Sequence, residues 1–197
     1  MSKQETRKEK TRQAILNASK SVFLTEGYVL ASMDTIAARA QVTKQTVYRY
    51  FPSKLELFEA TLRHMGPGPK ADFLESLEVP DTREALIGFA TGFMRSHLRQ
   101  EHLDTIRLLI AEAPKAPEIV RSFFAMGPSD TKERLHEFFR KRLGVDHPEI
   151  PMRLWTAMLF AHQEAAMLGR GIPTEEELAI YAETATDYLL AGLAART

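Results

Sequence analysis

The sequence has no cysteine among its 197 residues and no long apolar run. The first absence excludes disulfide bonds, thiolate zinc sites, iron–sulfur clusters and a cysteine nucleophile. The second excludes a membrane span, which needs about 18 apolar residues. The polar, basic residues 1–12 also lack the apolar stretch of a secretory signal. A chain of this length buries roughly 70% of its unfolded surface, so it needs no disulfide or metal to hold a core. We therefore expect a globular, cytoplasmic protein with no membrane partner.

Signatures of catalysis and of cofactor binding are also missing. The sequence has no glycine-rich phosphate loop, no HExxH and no G-x-S-x-G. A metal site is not expected, because helical spacing should make His97 diverge from His102 and His162 from Glu164. The sequence therefore predicts no metal, no cofactor and no enzyme, since an enzyme would need an acid–base pair that is not visible.

Alternating strand patterns are absent too, and apolar residues recur at helical spacing almost throughout. This pattern predicts an all-α fold. Gly27 is expected to end the first helix in a left-handed turn, and Thr174 with Glu177 forms a capping box. Further helices are predicted over about residues 33–40, 44–51, 53–65, 81–100, 101–113, 117–126, 129–143, 152–169 and 175–194.

The segment Gly66-Pro67-Gly68-Pro69 is the strongest break in the chain and predicts domains at 1–65 and 66–197. Residues 1–65 carry 11 Lys and Arg against 6 Asp and Glu, a net charge of +5. Residues 66–197 carry 15 against 20, a net charge of −5. A polyanion is therefore the expected partner of the first domain only.

Residues 32–54 are typical of a helix-turn-helix, in which two short helices flank a three-residue turn and the second enters the major groove. Lys44, Gln45 and Thr46 stand at the start of that second helix. Gln can bond adenine, Lys can bond guanine, and a Thr methyl can touch the thymine methyl. The polar ends of Tyr48, Tyr50 and Lys54 suit phosphate contacts.

Residues from about 10 to 62 resemble the DNA-binding domain of TetR-type (TetR/AcrR) transcriptional regulators. The residues that carry the resemblance are Ala14-Ile15, Phe23, Gly27-Tyr28, Ser32-Met33, Ile36-Ala37, Ala40, Val42-Thr43, Thr46-Val47-Tyr48, Tyr50-Phe51 and Ser53-Lys54. This dense pattern in fixed register is more specific than a generic helix-turn-helix. It departs at Gln41, where the family usually has Gly, so a left-handed turn there would be mildly strained.

The resemblance implies a three-helix helix-turn-helix domain followed by a helical domain that binds an effector and dimerises. It implies a homodimer on a palindromic double-stranded DNA operator, usually a repressor that releases DNA when a small molecule binds. The residues implied to contact DNA are Ser32, Thr43, Lys44, Gln45, Thr46, Tyr48, Arg49, Tyr50 and Lys54, with solvent as the alternative for Arg49. A basic arm of Lys3, Arg7, Lys8, Lys10 and Arg12 either contacts the DNA backbone or is a solvated tail.

Candidate sites in the second domain follow from its apolar stripes. Predicted dimer-interface residues are Leu154, Met158, Ala161, Ala165, Leu168, Leu178, Ala182, Ala185, Leu189 and Gly192; packing within one subunit is the alternative. Predicted ligand-binding residues are Phe89, Phe93, Met94, His97, Leu108, Phe123, Phe124, Met126, Trp155, Met158 and His162; plain core is the alternative. An aromatic and Met-rich set suits an apolar or aromatic ligand. An activator of the same fold and a helical protein-binding adaptor stay open as other functions.

Overall fold

The computed structural model describes residues 3–65, 72–126 and 129–195, and every regular element in these ranges is a helix. The predicted all-α class is therefore confirmed. The helices are α1 (Lys3–Leu30), α2 (Met33–Arg39), α3 (Lys44–Tyr50), α4 (Lys54–Met65), a 3₁₀ helix (Asp72–Glu78), α5 (Thr82–His97), α6 (Gln100–Glu112), α7 (Pro117–Met126), α8 (Ser129–Leu143), α9 (Glu149–Leu159), α10 (Ala161–Met167) and α11 (Glu175–Ala194). None of the helices described is long and apolar enough to cross a membrane.

The chain divides into two compact units whose limits differ from the predicted domains. Unit 1 contains residues 1–66 and 104–127, and unit 2 contains residues 67–103 and 128–197. Most of α6 and all of α7 thus join the N-terminal helices. The reason is burial, since Leu109 and Ile119 belong to the same core as Phe58. The Gly and Pro segment marks a break along the chain, but it does not mark the limit of that core.

Unit 1 is built around α4, on which α1 and α7 both pack, while α2 packs on α1. The ring of Phe58 meets Phe23 and Tyr28 edge-on, with centroids 5.2 and 5.0 Å away. Such edge-to-face pairs are the geometry that aromatic rings prefer. This cluster of three buried rings fixes the end of α1 against α4.

The helix α1 is interrupted at Gly27, which differs from the predicted left-handed cap. Gly27 has φ 79° and ψ 165°, and the chain continues through one more turn to Leu30. The positive φ agrees with the prediction, but this ψ lies in a region that is essentially restricted to glycine. The residue therefore redirects the chain by a sharp kink rather than by the left-handed turn that closes a helix.

Unit 2 has a core of large rings between the 3₁₀ helix, α5 and α9. Phe73 and Trp155 flank Phe89, with centroid distances of 5.3 and 5.6 Å, and all three rings are buried. Gly92 permits this contact, because a Cβ at that position would lie 2.4 Å from the Cβ of Phe73. α11 covers α5 and α9 from another side, and its predicted capping box at Thr174 and Glu177 is confirmed.

The predicted helix 152–169 is two helices, α9 and α10, separated at Phe160. No Gly or Pro marks this break. The ring of Phe160 instead meets Phe93 and His97 at centroid distances of 5.2 and 5.0 Å. A tertiary contact therefore accompanies the end of a helix that local propensity alone would continue. At the other end, α9 starts before Pro151, which a first helical turn tolerates because its N–H has no intrahelical partner.

Candidate nucleic-acid interface

Two short helices of unit 1 form the predicted helix-turn-helix. α2 follows Ser32, whose Oγ accepts the Thr35 N–H at 3.0 Å. α3 follows Thr43, whose Oγ1 accepts the Thr46 N–H at 3.2 Å. Each hydroxyl satisfies an N–H that a helix start leaves without a partner. Both predicted DNA-contacting residues are therefore helix caps, and any DNA contact is additional to that role.

The turn between α2 and α3 depends on Gln41, which has φ 56°. It is the one non-glycine residue with positive φ in the described ranges, so the expected left-handed residue is present. Val42 follows it and donates its N–H to the Ala37 carbonyl at 3.0 Å. The turn thus keeps the geometry that glycine would favour while carrying a glutamine side chain.

We expect Gln41→Gly to raise the free energy of unfolding by about 0.5–1 kcal/mol, because glycine removes the left-handed strain but gains freedom in the unfolded chain. Urea unfolding of both proteins measures this difference. Lower stability in the glycine variant would show that the Gln41 side chain makes contacts worth more than the strain.

α3 is anchored by one side chain and presents most of the others to solvent. Val47 is fully buried, whereas Gln45, Tyr48 and Arg49 are exposed. The Gln45 amide has no hydrogen-bond partner within the part of the chain that the structure describes. Its donor and its acceptor are thus both available, which is what a bidentate contact to adenine requires.

Lys44 begins α3 but already has a partner. Its Nζ donates to Asp34 Oδ2 at 2.7 Å, and this hydrogen bond and the charge of Asp34 raise the pKa of Lys44. Both side chains are more than half exposed. Because exposed ion pairs are weak, a base or a phosphate can displace Asp34 from Lys44.

Lys54 begins α4, and its ammonium group binds the end of α1. Its Nζ donates to the carbonyl oxygens of Tyr28, Val29 and Ala31 at 2.9, 3.1 and 3.1 Å. It also lies 4.6 Å from the centroid of the Tyr28 ring. An ammonium group has three N–H donors, so all of them are used. Lys54 therefore positions the end of α1 in the DNA-free protein, and its phosphate contact stays a prediction.

A buried carboxylate holds the same segment from the other side. Glu112 ends α6 and is 7% exposed. Its Oε2 accepts the Val29 N–H at 2.7 Å, while the Val29 carbonyl accepts from Lys54. We call Glu112, Val29 and Lys54 the α1 clamp. It fixes the chain just before Ser32, where the helix-turn-helix begins. No local sequence signal could reveal it, because Glu112 and Val29 are 83 residues apart.

The basic arm is the first part of α1, which is helical from Lys3. The Tyr50 hydroxyl at the end of α3 donates to the Lys8 carbonyl at 3.2 Å. Tyr50 therefore joins the arm to the recognition helix, whereas sequence reasoning gave it a phosphate contact. The arm is helical from Lys3 onward, and whether it contacts DNA stays a prediction.

The predicted ligand-binding residues are divided between the two units. Phe89, Phe93, Met94, His97, Trp155, Met158 and His162 belong to unit 2, whereas Leu108, Phe123 and Phe124 belong to unit 1. Phe89, Met94 and Trp155 are core residues with at most 1% exposure, and Phe124 is 74% exposed. The side chain of Met126 lies outside the described residues. Ligand binding by the predicted residues stays a prediction.

His97 and His102 approach each other, contrary to the expectation that they diverge. Their ring centroids are 4.7 Å apart, and the two residues do not share one helix, since α5 ends at His97 and α6 starts at Gln100. Burial, then the charges of His97 and Arg99, lower the pKa of His102 to about 4. The described residues contain no cluster of three or more metal-ligating side chains.

The predicted dimer residues separate into buried and exposed sets. Leu178, Ala182 and Ala185 are at most 3% exposed in the core of unit 2, so they are corrected to packing within one subunit. Leu154 and Leu168 are exposed. A groove of about 330 Å³ includes several of the predicted residues. It is lined by Ile150, Pro151, Leu154, Trp155, Met158, Tyr188, Leu189, Gly192 and Leu193.

The fold and this interface define a helix-turn-helix protein, and comparison with known proteins identifies its family. Residues 15–61 match the family model described as bacterial regulatory proteins, tetR family. Residues 84–194 match the C-terminal domain of AefR-like transcriptional repressors. The chain belongs to the TetR family of transcriptional regulators, which confirms the resemblance found in the sequence.

Individual relatives differ in how much of their length is matched. The repressor LfrR of Mycolicibacterium smegmatis is 30% identical over 169 residues, which is 82% of this chain and 82% of LfrR. The regulator SrpR of Pseudomonas putida is 37% identical over 79 residues, but the match spans only 37% of SrpR and 40% of this chain. The structure of the flavonoid-responsive regulator FrrA is similar with a TM-score of 0.72, at 26% identity, over 92% of this chain and 96% of FrrA.

Proposed function

We propose that this protein is a transcriptional repressor that binds a palindromic operator as a homodimer and releases it when a small molecule binds. The observation that carries the proposal is the recognition helix α3, which is anchored by Val47. At its exposed start it presents Gln45, whose amide has no hydrogen-bond partner among the residues that the structure describes. The +5 charge of residues 1–65 supports a DNA partner. The relative LfrR is named as a repressor, which favours repression over activation. The family and the absent catalytic motifs support a protein that is not an enzyme.

The dimer is supported by the apolar groove between α9 and α11. Leu154 and Tyr188 line it and are 63% and 69% exposed. Exposed apolar side chains grouped in one patch mark an interaction site. A second copy of the same face would pair α9 and α11 into a four-helix arrangement. Such a dimer would place two α3 helices about 34–36 Å apart, one turn of DNA.

The effector is proposed to be largely apolar or aromatic, with a few polar groups. Three buried polar atoms of unit 2 have no hydrogen-bond partner within the described residues: Trp155 Nε1, His162 Nε2 and Thr186 Oγ1. Buried polar atoms of this kind are uncommon and suit a ligand that supplies the missing partners. FrrA is named as responsive to flavonoids, which are aromatic. Effector binding would shift the DNA affinity by about 5- to 150-fold, the usual range of such coupling.

The experiment that tests the proposal is selection of bound sequences from a random duplex library at near-physiological salt. Enrichment of a palindrome with half-sites one helical turn apart is expected. Enrichment of a single half-site would contradict the dimer. No enrichment by a protein shown to be free of copurified ligand would contradict DNA recognition and favour the protein-binding adaptor. The position of the palindrome relative to a promoter separates a repressor from an activator.

We expect Gln45→Ala to weaken operator binding by about 1–3 kcal/mol and to relax the preference at one base pair, because a bidentate base contact is lost. Affinity for random DNA should change little. Gln163→Ala on α10 is the matched control and should bind like the wild type. The measurement is a set of dissociation constants on the selected operator and its single-base variants. Uniform weakening on all sequences would show that Gln45 contacts the backbone.

A further inference from the structure

Two histidine rings of unit 2 lie side by side at the corner between α5 and α6. The centroids of the His97 and His102 rings are 4.7 Å apart, and their planes meet at 76°. His97 is the last residue of α5, and His102 lies in the first turn of α6. The corner thus brings together two imidazoles, the commonest metal-ligating side chain. The expectation of no metal at these residues was based on helical spacing, which does not apply across the corner.

The separation of the two rings agrees with that of two imidazoles bound to one metal ion. A ligating nitrogen lies about 2.0–2.1 Å from a zinc ion, which places the ring centroid about 3.2 Å from the metal. Two such rings have centroids about 5.2 Å apart at the tetrahedral angle and about 4.5 Å apart at a right angle. The observed 4.7 Å lies between these values. The two side chains are therefore close enough to bind one ion together.

A backbone hydrogen bond fixes the tautomer and the orientation of His97. Its Nδ1 donates to the Phe93 carbonyl at 2.8 Å, so the lone pair of the neutral ring is on Nε2. The Phe93 ring lies against the imidazole with centroids 4.0 Å apart, and the Phe160 ring meets it edge-on at 5.0 Å. Metal-ligating histidines almost always donate their other N–H to a carbonyl, a carboxylate or water, which orients the ring. His97 thus has the surroundings of a metal ligand.

Both rings are in the protonation state that a metal requires. Burial lowers the pKa of His97, and burial, then the charges of His97 and Arg99, lower the pKa of His102 to about 4. The imidazoles are therefore neutral at pH 7, the form that ligates a metal. Among the residues that the structure describes, His97 Nε2 and the His102 nitrogens have no hydrogen-bond partner. Both side chains are only partly buried, so an ion can reach them from solvent.

We propose that His97 and His102 form a site for a divalent transition-metal ion of the class that includes Zn²⁺ and Cu²⁺. Imidazole suits these ions, whereas Mg²⁺ and Ca²⁺ prefer oxygen ligands. Two protein ligands leave coordination positions for water, so Cu²⁺ should bind more tightly than Zn²⁺, in the general order of affinities. The charge of Arg99 opposes a cation here, but its guanidinium is paired with Glu101 at 2.8 Å. The site requires neither DNA nor an effector.

The test is calorimetric titration of the metal-free, full-length protein with Cu²⁺ or Zn²⁺ alone at pH 7. One ion per chain is expected, and pulsed electron paramagnetic resonance of the Cu²⁺ complex should show two ligating imidazoles. His102→Phe keeps a ring at the corner but removes its nitrogens. It should weaken binding by more than about 100-fold, the upper end of the cost of losing a hydrogen-bond partner of a ligand. His97→Gln should do the same, and thermal unfolding without metal shows which variants are folded.

The matched control is His136→Phe, which removes a histidine that contacts Glu149 at 3.3 Å elsewhere in unit 2. Its metal affinity should equal that of the wild type. Loss of binding in this control, with binding retained in His102→Phe, would overturn the corner site and place the ion between α8 and α9. A spectrum with one imidazole or none from the wild-type protein would overturn it without any variant. Failure of both ions to bind saturably would show that the two rings only pack against each other.

Discussion

Gly27→Ala should lower the free energy of unfolding by about 2–4 kcal/mol, a large effect for the addition of one methyl group. An alanine at φ 79° and ψ 165° adopts a conformation that costs of order 1–3 kcal/mol outside glycine. Its Cβ would also lie 3.1 Å from Glu112 Oε1. If the carboxylate moves away, the Val29 N–H loses a charge-assisted hydrogen bond of about 1.5–3 kcal/mol.

The comparison with Gly144→Ala separates backbone strain from the close approach to Glu112. Gly144 also has a positive φ, 66°, but a Cβ there would meet nothing within 4 Å. Alanine at Gly144 should therefore show backbone strain alone, at about 1–2 kcal/mol. The measurement is urea unfolding followed by circular dichroism. A double variant, Gly27→Ala/Glu112→Ala, should cost less than the sum of its single changes. Additive costs would show that Glu112 does not press on residue 27.

The local parts of this fold could be predicted from the sequence. Ser32, Thr43 and Thr174 were each read as a residue next to a helix start, and each caps the following helix. The strain at Gln41 was predicted from the family resemblance, because the family usually has Gly at this place in the turn. These features depend on backbone groups a few residues away, so a short window of sequence contains all the necessary information.

The contacts that complete the interface could not be predicted in the same way. The side chain of Lys54 was read from its charge, but three carbonyls at the end of α1 take its hydrogens. Glu112 reaches Val29 across 83 residues. The rings of His97 and His102 contact each other because α5 ends at His97, so that the two residues do not share one helix. In each case a polar group had several partners available, and only the tertiary fold selects one.

The predicted dimer-interface residues of α11 show a different limit of prediction from sequence. Small and apolar residues occur on more than one side of this helix, so periodicity predicts amphipathic packing without telling which side meets which neighbour. Ala182 and Ala185 proved to face the subunit's own core. Tyr188, absent from the predicted set, is 69% exposed and lines the groove. The structure thus removes part of the predicted interface, while Leu154 is exposed and stays a predicted interface residue.

Leu154→Glu is expected to convert the proposed dimer into monomers and to weaken operator binding by at least about 100-fold. A carboxylate at this place in an apolar interface would be buried without a partner, which is far more costly than leaving it in water. Two linked recognition helices gain about 10²–10⁴ in affinity over one, and a monomer loses that gain. Sedimentation equilibrium and operator dissociation constants measure the two effects on the same samples.

Ile172→Glu is the matched control for this prediction. Ile172 is 54% exposed in unit 2 but lies outside the groove. The same charge placed there should leave both the dimer and the operator affinity unchanged. A Leu154→Glu protein that stays dimeric would place the interface on another face. A monomer that binds the full palindrome as tightly as the wild type would show that one α3 supplies the affinity. Recognition of two half-sites would then need a cause other than a dimer formed through α9 and α11.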